Sequence, residues 1–599
     1  MNLSEIVSIL EEIVKAPTYY VIGAIGKYLI YASDEQGILD LWSLNVVTYE
    51  RTKLTEGGIH SAATPRNGVS VAVYTVDVSG GREIQEIKAI TPTGEKVKLP
   101  KHPLTRVFGI AYDNEKIVYT GSTEKEVALY SIWFTGEVEK LTTLNALAFV
   151  TDVDGKYIVG YGDLHGNPRS SELFIYDIES KEMRIYTPKK GSVNKAPKIM
   201  GSKVLFETNA FGKEGELVIY DVESESIVKP EFKFEDYDKF APVEHSNYGW
   251  TYDGRVWAIG KRNGVTKIFI DGKEIPTPEG YVSNIALVNG KIYFAHSSLK
   301  EPYRIFEVDV KTRKLKVVVD NSISAKVREK FGNVSFIKYR SFDGLEIPAY
   351  IIESLAGRKP GPTVVYVHGG PWWEVPNKWD VFIASLVATG FHVIAPNFRG
   401  STGYGEKFRL MDIGDPGGGD LEDVVYAAKY VKEKGIASKV AIMGYSYGGF
   451  MTFLATVKKP DAWCCGVAGA GITDWEEMYE LSDAIFKKFI ETLFNNRKEL
   501  LKERSAITYV DNLKVPLCII HPQNDSRTPL KPVLKYVSKL LEKNKSFELH
   551  VIPNIGHVIR KVSDIAKIVL PSIVFLKEKC ADSLFSQLFF QPPVLSSQL

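Results

Sequence analysis

A strand-like pattern recurs along residues 19–325 and constrains the fold of this chain more than any other feature of its sequence. In each copy an apolar or aromatic run ends in Asp, Ser or Thr and a turn follows, as in LFIYDIESKEM and LVIYDVESESI. One residue marks each copy, at spacings of 48, 40, 46, 44, 50 and 38 residues: Ser43, Thr91, Ser131, Asp177, Asp221, Asp271 and Asp309. A period of about 44 residues is that of a four-stranded propeller blade. The pattern predicts a β-propeller of seven blades, with six or eight as alternatives.

The chain beyond residue 326 has a different pattern, in which apolar runs alternate with amphipathic segments. The runs are TVVYVHG, FHVIAPNFRG, KVAIMGYS, CCGVAGAG, PLCIIHPQND and SFELHVIPN. Continuous apolar runs are typical of parallel strands that helices cover on both faces. Ahead of them, VSFIKYRSFDGLEIPAYIIES predicts a hairpin that turns at Asp343-Gly344. We therefore expect a multidomain chain, with a β-propeller over 19–325 and an α/β domain over 326–580.

The two ends of the chain differ from these domains. Residues 1–18 carry apolar side chains at helical spacing among glutamates, which predicts an amphipathic helix docked on the α/β domain and not a signal peptide. Residues 581–599 contain one charged residue, Asp582, and no clear period. For this tail we expect disorder or an interface contact.

Composition narrows the possible partners and the compartment. The 74 basic and 73 acidic residues nearly cancel, so no bulk field attracts nucleic acid or an anionic membrane. No uncharged apolar run approaches the length that crosses a bilayer. The four cysteines give neither a disulfide framework nor a CxxC metal spacing. We expect no cofactor, no metal and a reducing, cytoplasmic environment.

The stretch Gly444-Tyr445-Ser446-Tyr447-Gly448 is the strongest sign of chemistry in the sequence. It fits the G-x-S-x-G pattern of a nucleophile elbow, with strand-like KVAIM before it and helix-like FMTFLATVKK after it. Small residues flank such a serine because its backbone is strained and its neighbours pack closely. Ser446 is therefore predicted to be a nucleophile, against the alternative of a glycine-rich turn with an incidental serine.

A nucleophilic serine needs a histidine base that a carboxylate orients, in the chain order Ser, Asp, His. Of the three histidines after Ser446, His557 follows a glycine in a loop beyond a strand, whereas the other two lie within strand-like runs. Asp525 lies in the loop after PLCIIHPQ, at the edge where such sheets hold their sites. Its rivals are Asp474, a candidate helix cap, and Asp511, in a turn. Asp525 and His557 are the predicted partners of Ser446.

Acyl transfer also needs backbone N–H donors for the oxyanion that develops on the attacked carbonyl. The sequence His368-Gly369-Gly370-Pro371 follows TVVYV directly and resembles the HGG loop that supplies one donor. The residue after the nucleophile supplies the other. We predict the amides of Gly370 and Tyr447 as the oxyanion hole.

Substrate contacts are expected in two further segments. The helical insertion from Trp475 to Phe494 is rich in aromatic residues, of which Phe486 and Phe489 are candidates for an apolar pocket, against the alternative of plain core packing. Arg527, two residues after the predicted triad aspartate, is a candidate for binding a substrate carbonyl or carboxylate. An ion pair within the protein is the alternative for Arg527.

Taken together, the motifs SFDGLEIPAY, VHGGP, NFRGSTGYG, GYSYGG, NDSRTP and the final GH resemble the prolyl oligopeptidase family, and within it the acylaminoacyl peptidases. The resemblance is dense in the α/β half and architectural only in the propeller. It implies an α/β-hydrolase domain whose active site a propeller restricts to short peptides. It also implies the triad Ser446, Asp525 and His557, the oxyanion donors Gly370 and Tyr447, and a homo-oligomer, a dimer or larger.

The reaction that this resemblance implies is removal of an N-acylated amino acid from a short peptide, with accompanying esterase activity. A dipeptidyl peptidase or oligopeptidase of the same family, a carboxylesterase and a catalytically silent propeller binding protein remain the alternatives. Dipeptidyl peptidases hold a free amino terminus with acidic propeller residues, and no such pair is recognisable in this sequence.

Overall fold

The N-terminal half of the chain forms seven small antiparallel sheets and the C-terminal half forms one large sheet. The structure is a computed structural model that describes residues 1–65, 71–212, 215–230, 241–242 and 247–581. The predicted tail, apart from Ala581, lies outside the described residues.

The seven small sheets are the blades of the predicted β-propeller. The first three contain β1 (Tyr19–Ile25), β2 (Tyr28–Ser33), β3 (Asp40–Asn45), β4 (Arg51–Lys53), β5 (Ser61–Ala63), β6 (Ala72–Asp77), β7 (Gln85–Ile90), β8 (Lys96–Val97), β9 (Arg106–Tyr112), β10 (Lys116–Ser122), β11 (Val127–Trp133) and β12 (Val138–Thr143). The next two contain β13 (Ala148–Asp154), β14 (Tyr157–Gly162), β15 (Glu172–Asp177), β16 (Glu182–Tyr186), β17 (Asn194–Met200), β18 (Lys203–Thr208), β19 (Glu216–Asp221) and β20 (Ile227–Val228). The last two contain β21 (Ala241–Pro242), β22 (Tyr248–Trp250), β23 (Val256–Arg262), β24 (Val265–Ile270), β25 (Lys273–Ile275), β26 (Tyr281–Val288), β27 (Lys291–Ser297), β28 (Arg304–Asp309) and β29 (Leu315–Val319).

The period found in the sequence comes from one position in the blade. Each of the seven markers lies in, or directly after, the third strand of its sheet. At Asp177, Asp221 and Asp309 the carboxylate accepts hydrogen bonds from the amides two and three residues later, at 2.7 to 3.2 Å. Such a side chain stabilises the turn into the fourth strand, which explains why a short polar residue recurs there. The prediction of seven blades is confirmed.

The blades form a closed ring around a central cavity of about 420 Å³, which residues from all seven blades line. Each blade consists of consecutive strands, so no strand is shared between the first blade and the last. Instead, Asn284 on β26 donates from Nδ2 to the carbonyls of Val21 and Ile22 on β1, at 3.1 and 3.2 Å. Contacts of this kind hold the two ends of the ring together.

The large sheet has the order β30-β31-β33-β32-β34-β35-β36-β37 and is parallel from β33 onward. A hairpin at Asp343-Gly344, as the sequence predicts, joins β30 and β31. The six predicted apolar runs become the last six strands. The bounds are β30 (Phe331–Arg340), β31 (Glu346–Ser354), β32 (Gly361–Val367), β33 (His392–Pro396), β34 (Ala437–Tyr445), β35 (Gly466–Gly469), β36 (Leu517–Pro522) and β37 (Phe547–Ile552).

Helices cover both faces of this sheet. Val364 and Tyr366 of β32 belong to the core cluster under the first and last helices, whereas Val365 and Val367 belong to the cluster on the opposite face. The helices are α1 (Leu3–Lys15), α2 (Ala325–Arg328), α3 (Val381–Ala388), α4 (Glu406–Arg409), α5 (Gly419–Glu433), α6 (Tyr447–Lys458), α7 (Trp475–Leu481), α8 (Ala484–Leu493), α9 (Glu499–Glu503), α10 (Leu530–Glu542) and α11 (Val562–Cys580). Short 3₁₀ turns span Leu410–Asp412, Pro460–Ala462 and Ala506–Asn512. Among the described residues, no helix combines the length and apolar character that crossing a membrane requires.

The N-terminal helix α1 packs against α3 and α11 of the C-terminal domain. Its buried stripe of Ile6, Ile9, Leu10, Ile13 and Val14 joins the core cluster that contains α3 and α11. The apolar spacing that predicts an amphipathic helix is the spacing of this stripe. The first helix of the chain is therefore part of the C-terminal domain, although it precedes the propeller in the sequence.

The expectation of no disulfide is wrong for one pair of cysteines. Cys464, before β35, and Cys580, the last residue of α11, form a disulfide with their Cα atoms 5.9 Å apart. The two cysteines are separated by 116 residues and belong to no spacing motif, so the packing of α11 against the sheet is what brings them together. Cys465 and Cys518 are free and buried.

Candidate active site

Ser446 lies in a sharp turn between β34 and α6, as the nucleophile-elbow motif predicts. Its backbone has φ 60° and ψ −120°, a conformation that residues other than glycine rarely adopt. The motif glycines allow the close packing, since a Cβ on Gly444 would lie 2.4 Å from the carbonyl carbon of Gly448. A Cβ on Gly448 would lie 2.0 Å from the carbonyl oxygen of Val367. A larger residue at either position would displace the turn.

Ser446, His557 and Asp525 form one continuous chain of hydrogen bonds. His557 Nε2 lies 2.9 Å from Ser446 Oγ, and His557 Nδ1 lies 2.7 Å from Asp525 Oδ2. The three residues follow β34, β37 and β36, at the carboxyl edge of the parallel strands. With Nδ1–H donating to the carboxylate, Nε2 is the acceptor for the serine hydroxyl.

Asp525 is buried and its carboxylate is fully hydrogen-bonded. Oδ1 accepts from the amides of Arg527 and Thr528 at 2.9 and 2.8 Å, and Oδ2 accepts from the Thr528 hydroxyl at 2.9 Å as well as from His557. Burial disfavours the charged form, but the charge on His557 and these hydrogen bonds outweigh it and hold the pKa of Asp525 below its ordinary value. Asp525 is therefore an ionised acceptor that fixes the orientation of the imidazole.

The rival residues lie outside this chain of hydrogen bonds. Asp474 caps α7, and Asp511 forms a surface ion pair with Lys543 at 2.8 Å. His521 is fully buried at the end of β36, where burial lowers its pKa, and His550 lies half-buried on the edge strand β37. These positions agree with the structural roles that the sequence suggests for them.

The two predicted oxyanion donors line the cavity that holds Ser446. Tyr447 is the first residue of α6, so its amide N–H has no acceptor within the helix. Gly370 has φ 123°, in the left-handed half of backbone space where glycine is favoured, and a Cβ there would lie 2.7 Å from the Trp372 nitrogen. The Tyr447 side chain turns away and donates to Asp420 Oδ2 at 2.6 Å. Only the backbone of Tyr447 is available at the serine.

His368 fixes the glycine loop that carries Gly370. Its ring stacks on Phe398 with centroids 4.3 Å apart, Nδ1 lies 2.7 Å from the Gly369 carbonyl, and Nε2 lies 2.9 Å from Ser401 Oγ. Burial lowers the pKa of His368 to about 4, so the imidazole is neutral at physiological pH. A neutral ring can donate from Nδ1 to the loop and accept from the serine at Nε2.

Side chains from both domains enclose an apolar cavity of about 500 Å³ that opens on Ser446. The hydrolase domain contributes Trp372, Trp475, Met478, Ile485, Phe486 and Phe489, and the propeller contributes Phe108, Leu147, Phe149 and Tyr161. Phe108 contacts Phe486 across the domain interface, with ring centroids 6.2 Å apart, and contacts Phe149 within the propeller at 6.3 Å. The cavity is large enough for a bulky apolar side chain.

The three residues suggested for substrate contact all line this cavity. Phe486 and Phe489 lie on α8 with their centroids 6.1 Å apart. Arg527 donates from Nε to Glu83 of the propeller at 2.9 Å. The ion-pair alternative that the sequence leaves open for Arg527 is therefore observed.

A propeller turn, residues 77–83 between β6 and β7, contacts the loops of both Asp525 and His557. Its carbonyl at Gly80 accepts from Asn524 Nδ2 at 2.6 Å, and its carbonyl at Arg82 accepts from Ser526 Oγ at 2.9 Å. Gly81 packs directly on Gly556, where a Cβ would lie 1.6 Å from the Gly81 oxygen. The 77–83 turn therefore touches the residue before His557 and the residues on either side of Asp525.

Glu83 ends this turn and is buried with φ 65°, an uncommon backbone conformation for glutamate. Its carboxylate pairs with Arg527 and with Arg106, and Arg106 also donates to Asp483 Oδ2 at 2.7 Å and to Ser526 Oγ at 2.8 Å. Burial makes the removal of one partner from such a network costly, so the network resists displacement. It ties the propeller to the loop that carries Asp525.

Two groups of described residues bring three potential metal ligands together. One is Cys464, Cys465 and Cys580, of which two form the disulfide. The other is Cys518, Glu548 and His550 on neighbouring strands β36 and β37. Neither group lines the cavity at Ser446 among the described residues.

The geometry suits acyl transfer. It contains a hydroxyl on a strained turn, a base 2.9 Å away, a carboxylate that orients the base, and two backbone amides beside an apolar cavity. These are the parts that such a reaction needs at one carbonyl carbon.

Two family models match the chain, one over each domain. Residues 30–306 match the model described as the acylamino-acid-releasing enzyme-like N-terminal domain, and residues 378–583 match that of the prolyl oligopeptidase family. The C-terminal domain of the chain belongs to the prolyl oligopeptidase family. Within this family's hydrolase segment lie Ser446, Asp525 and His557.

Known proteins resemble parts or all of the chain. It is 32% identical over 208 residues to dipeptidyl aminopeptidase BIII of Pseudoxanthomonas mexicana, covering 33% of this chain and 30% of that protein. It is 30% identical over 234 residues to the acylamino-acid-releasing enzyme of Homo sapiens, covering 37% and 32%. These matches span only about a third of the two relatives. The acylaminoacyl peptidase of Pyrococcus horikoshii has the same fold, with a TM-score of 0.70 over 96% of this chain and 97% of that chain at 17% identity.

The sequence analysis identified none of the propeller residues that lie at the site. Phe108, Phe149 and Tyr161 lie in strands whose alternation reveals burial but not which neighbour covers them. Glu83 follows Gly80-Gly81, a turn signal that could have drawn attention to the loop. Tyr445, which had no predicted role, donates from its hydroxyl to the His557 carbonyl at 2.9 Å.

Proposed function

We propose that this protein is a serine peptidase that removes an N-acylated amino acid from the amino terminus of short peptides. The observation that carries the proposal is the hydrogen-bonded chain Ser446, His557 and Asp525 beside an apolar cavity. The activities named for the relatives support a peptidase, and the partial overlap with those relatives leaves the substrate to be argued from this chain.

In the proposed reaction, His557 Nε2 takes the hydroxyl proton while Ser446 Oγ attacks the first peptide carbonyl. The charge that develops on the carbonyl oxygen is stabilised by the amides of Gly370 and Tyr447. His557 then gives its proton to the leaving amine, which departs as the shortened peptide. Water, activated by the same imidazole, hydrolyses the acyl-enzyme and releases the acylated amino acid.

The apolar cavity is the proposed subsite for the side chain of the first residue. Phe486 and Phe489 form its wall on α8, and Phe149 forms part of the facing wall. Arg527, oriented by Glu83, is proposed to donate to a substrate carbonyl or carboxylate from the rim. A large apolar first residue is therefore the expected preference.

The charges around this cavity favour a blocked amino terminus over a free one. A free terminus needs acidic groups that are not already engaged. Among the described lining residues the one acid is Asp163, which accepts from the Leu147 amide at 2.8 Å and from the Thr492 hydroxyl at 2.9 Å. Burial raises the pKa of Asp163 and so disfavours its charged form. Glu83, the nearby propeller acid, is paired with two arginines.

Three peptides test the proposal: acetyl-Phe-Ala-Ala, Phe-Ala-Ala with a free amine, and a longer peptide blocked at both ends. We expect acetyl-Phe from the first and no cleavage of the other two, with products identified by mass. Release of Phe-Ala from the second would instead support a dipeptidyl peptidase, and internal cleavage of the third an oligopeptidase. His557→Gln should abolish turnover, whereas the matched variant His550→Gln should retain it.

Esterase activity is proposed as a consequence of the same machinery, since an ester has a better leaving group than an amide. Acetyl-Phe p-nitroanilide and the matching p-nitrophenyl ester should both be hydrolysed by the Ser446 enzyme. Turnover of the ester alone would favour a carboxylesterase. Failure of both would favour a silent propeller binding protein.

We also propose a homo-oligomer, a dimer or larger, on the strength of the family resemblance. Light scattering on the purified chain measures this directly, and a mass near 66.9 kDa would contradict it.

The cytoplasmic compartment is likewise a proposal from the sequence. Disulfides are uncommon in most cytosolic proteins, with those of hyperthermophiles as an exception. The Cys464–Cys580 disulfide therefore argues against a cytoplasmic compartment unless the source is such an organism. Thiol titration of protein purified under alkylating conditions would report whether that disulfide forms in cells, and fractionation would report the compartment itself.

A further inference from the structure

A second cavity, of about 560 Å³, meets the site from the other side. Ser446, His557 and Gly370 line both cavities, but the residue after the nucleophile borders the apolar one and the residue before it, Tyr445, borders the second. The two halves of a peptide extend in opposite directions from the carbonyl under attack. One cavity can therefore hold the acylated residue while the other holds the leaving part.

The second cavity differs from the first in its charged lining. Its acids are already engaged. Asp34 accepts from the Thr18 amide at 2.7 Å, Asp380 caps α3 by accepting from two amides at 2.9 and 3.0 Å, and Glu374 pairs with Lys261. Lys378 faces Asp380 and Glu374, whose charges oppose the lowering of its pKa by burial.

Arg560 is the exception among these charged groups. Its Nε and Nη2 atoms are shielded from solvent and have no hydrogen-bond partner among the described residues, and no described carboxylate lies within ion-pair distance. Burial lowers the pKa of Arg560 to about 10, so it still carries its charge at neutral pH. A buried guanidinium without a partner is costly, and an anion in the cavity would remove that cost.

The backbone around Arg560 holds it in a fixed relation to the triad. Arg560 is three residues after His557, and its carbonyl accepts from the Leu39 amide of the first blade at 3.1 Å. The Val562 amide donates to the Gly37 carbonyl at 3.0 Å. The cation is therefore part of the same loop as the base and is clamped by the propeller on its far side.

We propose that Arg560 binds the free α-carboxylate of the leaving part of the substrate. The inference rests on the proposed peptidase function: a short peptide with a blocked amino terminus and uncharged side chains carries its one charge at the carboxyl end, and that end leaves. A guanidinium fork matches a carboxylate in geometry and charge. The ligands are acylated di- and tripeptides with a free carboxyl terminus, and the amides of the same peptides lack the recognised group.

Binding measurements on the Ser446→Ala protein test this without turnover. Calorimetric titration with acetyl-Phe-Ala and with acetyl-Phe-Ala-amide should give affinities that differ by roughly 10- to 100-fold in favour of the acid. In the same background, Arg560→Gln should remove this preference and leave the affinity for the amide unchanged. Lys561→Gln, which removes the neighbouring exposed cation, is the matched control and should keep the preference.

Two results would overturn the assignment. The first is equal affinity of the Ser446→Ala protein for the acid and the amide. This measurement needs no change at Arg560, so it tests the assignment even if Arg560→Gln fails to fold. Equal weakening of both ligands by Arg560→Gln would reduce Arg560 to a structural residue. Failure of the proposed function has a separate signature, which is no hydrolysis of acetyl-Phe p-nitroanilide by the enzyme that retains Ser446.

Discussion

The hydrolase domain and the propeller contribute different kinds of residue to one site. The hydrolase domain supplies the proposed nucleophile, base, acid and oxyanion donors, all within loops at one edge of a parallel sheet. The propeller supplies none of these, but it supplies Phe108, Phe149 and Tyr161 to the cavity wall and the 77–83 turn that touches the loops of Asp525 and His557. The proposed reacting groups come from one domain, whereas residues of both domains position these groups and line the cavity.

This division of roles determines where substitutions should affect catalysis. A change among the reacting groups removes a chemical step, whereas a change in the 77–83 turn or the cavity wall alters position or fit. The expected loss of activity is therefore larger at the hydrolase residues than at the propeller residues.

The largest effect is expected at the nucleophile. Ser446→Ala removes the attacking oxygen, and kcat should fall by up to about a millionfold, leaving the residual catalysis of the binding site alone. Single-turnover hydrolysis of acetyl-Phe p-nitroanilide measures the loss. Retention of most of the activity would show that the nucleophile is not Ser446 and would contradict the roles assigned to the two domains.

A smaller loss is expected at the residue that orients the base. Asp525→Asn replaces an ionised acceptor by an amide that cannot stabilise the imidazolium, and kcat should fall by about 10⁴-fold. Asp511→Asn, at the rival aspartate with its surface ion pair, is the matched control and should leave kcat unchanged. Equal effects of the two variants would contradict the assignment of Asp525.

The propeller's positioning role predicts an intermediate loss at Glu83. Glu83→Gln leaves Arg106 and Arg527 without their shared charge, and displacement of the Asp525 loop by about 1 Å should cost about 100-fold in kcat. Urea unfolding should reveal a destabilisation of about 3 kcal/mol, because a buried ion pair has lost one partner. Glu86→Gln on β7, whose side chain is exposed, is the control. An unchanged kcat in a destabilised Glu83→Gln protein would limit the turn to a structural role.

The smallest effect is expected from the propeller wall of the cavity. Phe149→Ala should lower kcat/KM for acetyl-Phe p-nitroanilide by about tenfold, close to 1.4 kcal/mol, and should change the alanine analogue much less. Phe211→Ala, at an exposed propeller phenylalanine, should affect neither substrate. Equal losses on both substrates would mean that Phe149 supports the fold and not the subsite.

The sequence predicts the hydrolase half of the molecule in more detail than the propeller half, and the reason is physical. The flanking glycines identify Ser446 in the sequence, because the turn leaves no room for a Cβ at Gly444 or Gly448. Six apolar runs become six parallel strands, because a strand covered on both faces tolerates no polar interruption. The blade number follows from a turn-stabilising Asp that recurs at the end of the third strand.

What the sequence did not reveal depends on long-range packing. Glu83, Arg106 and Phe149 reach the site only because the ring of blades closes and docks on the hydrolase domain. The Cys464–Cys580 disulfide likewise follows from the docking of α11, over a separation of 116 residues. No local spacing in the sequence indicates such contacts. A single sequence therefore identifies the reacting groups but not the distant residues that position them.

Labelling with a fluorophosphonate tests most directly the claim that Ser446 is a nucleophile activated by His557 and Asp525. Peptide mapping by mass spectrometry should locate one adduct per chain at Ser446, with no adduct on Ser446→Ala and strongly slowed labelling of His557→Gln. An adduct at another residue, or labelling at the same rate without His557, would contradict the account.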